Sequence, residues 1–256
     1  MSNLNRRVVL VLLAFAIFTI LLLCSDSARA ATPTPILVEL FTSEGCSDCP
    51  PAEALLRTLD IAQPIPGAQV IVLEEHVDYW DDQGWRDPFS SHAFTLRQSA
   101  YVERLRVENG PYTPQMVVDG TEAFVGNDRP QAGRTLAIQA KVPKVNVQIS
   151  SAHIENGKIF AHIDAAAVPS KAEVFIAIAL DHAQSQVLRG ENGGRRLEHV
   201  AIAKQLTSVG KLKNGEAFSK DVTVALDQSG QAHRLIAFVQ EVDHGKVLGA
   251  AVIRLQ

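Results

Sequence analysis

Ile36-Leu-Val-Glu-Leu-Phe41, then Thr42-Ser-Glu-Gly-Cys-Ser-Asp-Cys49, then Pro50-Pro-Ala-Glu-Ala-Leu-Leu-Arg-Thr-Leu-Asp60 are the consecutive blocks on which the reading of this chain turns. The first block is short and mostly apolar, the texture of a buried strand rather than of an amphipathic helix. The last has leucines at 55, 56 and 59, the spacing of one helical face, and its prolines fall where a first helical turn tolerates them. Cys46 and Cys49 therefore lie at a strand-to-helix junction.

Two cysteines three positions apart at the start of a helix can close a disulfide, and the positive end of the helix dipole favours a thiolate there. The expected arrangement has Cys46 exposed and attacking. Cys49, one turn in, resolves the mixed disulfide. This two-electron exchange needs no cofactor. Glu44 and Asp48 are acidic and oppose thiolate formation, which points to a reductant or isomerase rather than a disulfide donor. A structural disulfide and a soft-metal clip, copper(I) on the two sulfurs with His76 nearby, stay open as alternatives, although no methionine cluster supports the second.

Outward from this junction, Gln69–Leu73 reads as a second buried strand and Ser90–Val107 as a helix with a serine cap. Met116–Val118, Asp119-Gly120 and Ala123–Val125 read as a hairpin, and Arg129–Lys141 as a helix capped by Asn127 or Asp128. That order predicts an α/β fold whose first part, residues 31–142, is a thioredoxin-like domain with an inserted helix. Thr113-Pro114 precedes the hairpin strand, where such a fold places a cis proline facing the sulfurs. Thr113 and Pro114 are thus the expected substrate-binding residues, receiving a peptide by strand addition. From Pro143 the texture changes to alternating strands, read at Val145–Ile149, Ile159–Ile163, Val174–Leu180, Phe218–Leu226, Leu235–Val242 and Val247–Leu255, with tight turns at Asn156-Gly157 and His244-Gly245, so residues 143–256 are expected to form a separate antiparallel β-sandwich.

Two further stretches draw notice. Glu74-Glu-His-Val-Asp78 alternates, so His76 and Asp78 are expected side by side as accessory groups near the sulfurs, or else as the polar end of a strand. Arg189–His199 is a polar loop rich in glycine, read as an anion or partner site or as a solvated hairpin tip.

At the start of the chain, Arg6 and Arg7 precede an apolar run from Val8 to Leu23, and Ala28-Arg29-Ala30 supplies a small-x-small pattern. Residues 1–30 are read as a signal peptide, which makes the mature protein periplasmic or secreted with no stable membrane span. Cleavage removes Cys24 and leaves Cys46 and Cys49 as the whole cysteine inventory, in a compartment where thiols can oxidise. The full chain of 256 residues carries a formal charge of -4 and no long basic run, which argues against nucleic acid as a partner. Three cysteines are too few for a four-thiolate zinc site, and no metal or other cofactor is expected. The expected partners are protein thiols or disulfides and a redox protein whose identity the residues do not give.

The sequence Val38-Glu-Leu-Phe-Thr-Ser-Glu-Gly-Cys-Ser-Asp-Cys-Pro-Pro-Ala52, with His76–Asp81, Gly84-Trp85, Asp87-Pro-Phe89, Arg97-Gln98 and Tyr112–Met116, closely resembles domain-of-unknown-function family 1223, an uncharacterised secreted thioredoxin-like family. The likeness continues through Gly190-Glu-Asn192 and Arg195. It implies Cys46 and Cys49 as a redox pair and Pro114 as a cis proline, and supplies no substrate. Gly45 before the first cysteine and Ser47-Asp48 between the two depart from the thioredoxin pattern.

Overall fold

The computed structural model describes residues 32–226 and 231–255. The expected signal peptide, residues 1–30, lies outside the described residues. From Pro33 onward the chain is one compact unit, so the expected domain boundary at 142/143 falls inside it.

Eleven strands and three helices follow in the order β1 (Thr34–Thr42), α1 (Pro50–Ala62), β2 (Ala68–His76), α2 (His92–Leu105), β3 (Gln115–Val118), β4 (Glu122–Val125), α3 (Arg129–Gln139), β5 (Val147–Glu155), β6 (Lys158–Ala165), β7 (Ala172–Gln186), β8 (Arg196–Leu212), β9 (Phe218–Ala225), β10 (His233–Glu241) and β11 (Val247–Leu255). Among the described residues, no helix is long and apolar enough to cross a membrane.

The local chemistry explains most boundaries. Cys49 caps α1 with its backbone carbonyl, which accepts from the N–H groups of Ala52 and Glu53 at 2.9 and 3.1 Å. Pro50 and Pro51 fill the first turn without losing a needed donor. The Ser91 hydroxyl accepts from the Ala93 N–H at the start of α2, and the Asp128 carboxylate does the same for Gln131 in α3. Asn156 and Gly157 both adopt positive φ, as a two-residue hairpin turn demands. The hairpin expected at His244-Gly245 instead uses Asp243 and His244 as its left-handed pair, one residue earlier.

The expected fold class, a thioredoxin-like domain with an inserted helix followed by a separate sandwich, is overturned. Among the described residues the protein is mostly β, with one mixed eight-stranded sheet of order β11-β10-β7-β8-β2-β1-β3-β4 and a three-stranded sheet β5-β6-β9. Strands from both halves of the sequence share the large sheet. The junction is β8, which runs antiparallel along β7 and meets β2 in parallel at the single pair Glu74 and Ile202.

Packing follows from this sheet. In β7 and β10, Val174, Ile176, Ile178, Leu235, Ala237 and Val239 face one core, shared with the three-stranded sheet. Ala177, Ala179, Ile236 and Phe238 face the other, shared with β1, β2 and all three helices. Burial on both faces accounts for the near-continuous apolar text of these strands. In α1, Leu55, Leu56 and Leu59 close the second core over β1 and β2, each contributing about 1.5–3 kcal/mol by leaving water.

Candidate functional site

The C-terminal ends of β1 and β2 and the first turn of α1 converge on the cysteine pair. Cys46 and Cys49 are free thiols and both are buried, Cys46 at 1% exposure and Cys49 at 0%. The expectation of an exposed Cys46 is therefore corrected. The reason lies in the polar loop after β7, which is no solvated tip. Asn192, fully buried, donates from Nδ2 to the carbonyls of Glu44 and Cys46, both at 2.9 Å, and the Glu191 carboxylate accepts from the Ser47 N–H at 2.9 Å. Arg195 donates to Asn192 Oδ1 at 2.9 Å and holds the amide in this orientation. The loop is a strap across the sulfur motif.

The two thiols are electrostatically unequal. A hydrogen bond from Cys49 is the largest influence on Cys46 and draws its pKa below the ordinary thiol value; the Thr113 side chain and the backbone N–H groups of Asp48 and Cys49 act the same way, against the opposing effect of burial. Burial drives the Cys49 thiol far up, and the neighbouring Cys46 adds to this. The Glu44 and Asp48 carboxylates are not among the main influences on the Cys46 thiolate. The Glu44 carboxylate is turned inward to Trp85 and His199, and Asp48 stands in solvent.

The Thr113–Pro114 peptide bond is cis, with Pro114 buried. Thr113 lies beside the sulfurs: its carbonyl accepts from Cys46 Sγ at 3.8 Å and its hydroxyl accepts from Trp80 Nε1 at 2.8 Å.

Beneath the cysteines lies a buried cluster of acids and imidazoles. His76 does not pair with Asp78. Its Nδ1 is 2.7 Å from Asp87 Oδ2 and its Nε2 is 3.2 Å from Glu74 Oε1. Asp78 instead accepts from Thr95 and lies 3.1 Å from the exposed His92. His199, from β8, places Nδ1 2.7 Å from Glu74 Oε1 and Nε2 3.2 Å from Glu44 Oε1. Glu53 accepts from Thr42 at 2.8 Å, with its other oxygen 3.8 Å from His199. Thr42 and Glu53 both act electrostatically on Cys49, which couples the sulfur pair to the cluster. Glu74, His76 and His199 present ligand-capable atoms within 4.8 Å of one another.

The charges in this cluster follow from burial and pairing. Burial pushes Glu53 up to about 7, against the pull of His199. Burial opposes ionisation of Glu74 as well, yet His199 and His76 beside it bring it down to about 2. Desolvation would lower both imidazoles, but Asp87 and Glu74 raise His76 well above its usual value, and Glu74 with Glu44 raises His199 to about 10.

A second buried network occupies the other face of β2. Arg97 Nε donates to Glu39 Oε1 at 2.6 Å, and Tyr101 donates to Glu39 Oε2 at 2.6 Å. Gln240 donates to the Tyr101 hydroxyl at 2.8 Å, and Glu75 lies 3.6 Å from Arg97 Nε.

Of the expected site residues, Cys46, Cys49, Thr113 and Pro114 come together, and Glu44 and His76 join through the buried cluster. Asp48 and Asp78 remain at the periphery. Glu53 and Asp87 carry no site signal of their own in the sequence, and Asn192 and His199 are marked there only as part of the polar loop Arg189–His199. The alternation of Glu74 and His76 was a usable pointer, since period two puts both on one face of a strand.

A comparison with curated proteins yields no match. Among solved structures, the chain is similar to protein AGR_C_4864 from Agrobacterium tumefaciens, with 26% identity and a TM-score of 0.66 over 86% of this chain and 94% of that one. A DUF3823 family protein from Bacteroides ovatus aligns over 44% of this chain and 54% of its own, with 13% identity and a TM-score of 0.27, too slight a likeness to carry an argument. The model of the family described as protein of unknown function (DUF1223) matches residues 37–240. By that match, which spans both faces of the buried site, the chain belongs to the DUF1223 family.

Proposed function

We propose that this protein is an exported thiol–disulfide oxidoreductase that exchanges electrons with protein thiols or disulfides through Cys46 and Cys49. One observation carries the reading. At the amino end of α1 a thiol with lowered pKa accepts a hydrogen bond from a thiol whose pKa is raised, the asymmetry that separates an attacking from a resolving sulfur.

In the reducing direction, the Cys46 thiolate attacks one sulfur of a partner disulfide. A Cys46–partner S–S bond forms, the partner's own S–S bond breaks, and the first partner sulfur leaves as a thiolate. Cys49 then loses its proton and attacks Cys46 Sγ. The intramolecular disulfide forms and the second partner sulfur departs, so two electrons pass from the pair to the partner. The Glu44 and Asp48 carboxylates are not among the main influences on Cys46, and the direction of exchange, proposed to lie on the reductant or isomerase side, follows from the potential of the pair against its compartment.

Burial of Cys46 favours a second reading, a non-catalytic binding module that keeps the pair as a fixed disulfide or a soft-metal clip. One experiment separates them. Exchange predicts a reversible midpoint in a defined thiol buffer and a mixed disulfide trapped by Cys49→Ser. Absence of both supports the module.

A further inference from the structure

We infer that Glu74, His76 and His199 form a binding site for a divalent transition-metal cation of zinc-like preference, separate from the two cysteines, that clamps β2 to β8. The inference does not rest on redox exchange at Cys46.

The donors are built as a metal site builds them. A ligating histidine commonly gives its second ring nitrogen to a carboxylate, which fixes its orientation and raises its basicity. Both histidines here have that partner: His76 Nδ1 faces Asp87 at 2.7 Å and His199 Nε2 faces Glu44 at 3.2 Å. The nitrogens left over, His76 Nε2 and His199 Nδ1, converge on the same oxygen, Glu74 Oε1, at 3.2 and 2.7 Å. The acids are themselves held. Glu74 Oε2 accepts from the Val200 N–H at 2.9 Å, and Asp87 accepts from the N–H groups of Glu44 and Phe89, both at 2.8 Å.

Four ligands at about 2.0–2.1 Å in a tetrahedron stand roughly 3.3 Å apart. The contact between Glu74 and His76 already has that spacing. The one between Glu74 and His199 needs to open by about 0.6 Å, a small turn of one carboxylate. Glu53 Oε2, 3.8 Å from His199 Nδ1 and not engaged as partner to the other ring nitrogens, completes a set of two nitrogens and two oxygens. Imidazole with carboxylate suits zinc and its neighbours; copper(I) prefers sulfur.

Charge and topology point the same way. Glu44, Glu53, Glu74 and Asp87 place four carboxyl groups around two imidazoles, all at 2% exposure or less, and such an excess of acid in a dry interior favours a cation. Glu74 and His76 come from β2 and His199 from β8, so the ion would tie the two strands where their backbones meet at one residue pair.

The test uses the full chain, stripped with chelator and re-exposed to Zn2+ or Co2+ alone. The inference expects about one equivalent of Zn2+ retained after gel filtration, a raised unfolding midpoint, and the same retention in the Cys46→Ser/Cys49→Ser variant. His199→Gln should weaken binding by more than about 100-fold and Asp87→Asn by about 10- to 100-fold. No retained Zn2+ overturns the inference, as does retention that disappears with the cysteines. Should the histidine variant not fold, the spectrum of the Co2+ form of the unaltered chain decides. Nitrogen and oxygen ligands give visible bands without thiolate charge transfer, and a thiolate band overturns the assignment.

Discussion

Exchange at Cys46 requires the strap from β7 to β8 to open, and Asn192→Ala measures that directly. The side-chain amide supplies two hydrogen bonds to buried carbonyls, of Glu44 and Cys46, each at 2.9 Å. The third bond, from Arg195, involves an exposed side chain that water can serve instead. Hydrogen bonds of this kind each contribute about 1–1.5 kcal/mol net, so their loss shifts the closed-to-open equilibrium by about 2–3 kcal/mol. With one decade per 1.36 kcal/mol, the open fraction rises by about 30- to 150-fold. If opening is fast relative to labelling, alkylation of reduced Cys46 follows that fraction, as proteolysis follows local opening. The assay is iodoacetamide labelling of the fully reduced protein, read by peptide mass spectrometry, with urea unfolding run in parallel to separate local from global opening. Glu191→Ala is the internal control, since the bond it removes, from the Ser47 N–H, lies in solvent and its loss should raise the rate no more than severalfold. An Asn192→Ala rate within threefold of the unaltered protein would refute the reasoning, because access to the sulfur would then not pass through this loop.

Four further outcomes follow from buried groups and close contacts. Lys144→Met leaves Asp119, paired at 2.8 Å and nearly inaccessible, without its cation; the carboxyl then takes up a proton, so urea unfolding near pH 7 should show a loss of about 1–2 kcal/mol. Burial pushes the Asp119 carboxyl up to about 6, so the native state holds this proton more tightly than the unfolded chain does. Stability from this group is therefore full below about pH 4 and falls as pH rises to about 6, by roughly 3 kcal/mol, a slope that Asp119→Asn should remove from the urea midpoints. Arg97→Met strips the cation from Glu39 and Glu75 and should destabilise by about 3–5 kcal/mol, read by thermal or urea unfolding. In Gly249→Ala, the new Cβ would fall 2.0 Å from the Val145 carbonyl oxygen, a backbone atom that cannot step aside; the expected loss is at least about 1–3 kcal/mol, and an unchanged midpoint would contradict that close approach.

Local structure was well marked in the chain because each signal was itself local. Leu55, Leu56 and Leu59 repeat with the helix, Ser91 and Asp128 cap as their side chains allow, and Asn156-Gly157 supplies a left-handed pair. The strand β8 escaped because its residues answer to several different surroundings. Leu197 and Val200–Ala203 are buried, His199 is buried among acids, and Lys204, Gln205, Thr207 and Ser208 face solvent, so no single period runs through the strand. Missing β8 meant missing both His199 and the joining of the two halves. The polar loop before it misled for a related reason: Asn192 is polar because it serves two backbone carbonyls, and composition alone does not distinguish such a residue from a solvated one.

These omissions have one physical origin. Alternation along β2 does place Glu74 with His76 and Glu75 on the opposite face, but it does not say what each face meets. One face meets His199 and Glu53, the other Arg97 and Glu39, and those partners lie 21 to 125 positions away, on β1, α1, α2 and β8. A charged residue in the middle of an apolar strand is tolerable only when such partners are delivered to it, because an unpaired buried charge costs several kcal/mol. The paired acids at 74 and 75 thus imply that something packs on each face of β2 and carries compensating groups. That requirement is what ties β8 to the first half of the chain. It also explains why the cysteine pair sits within a single sheet-wide unit: the loop that covers Cys46 and the imidazole that answers Glu74 arrive on the same strand connection, so neither the cover nor the cluster exists until β8 is in place.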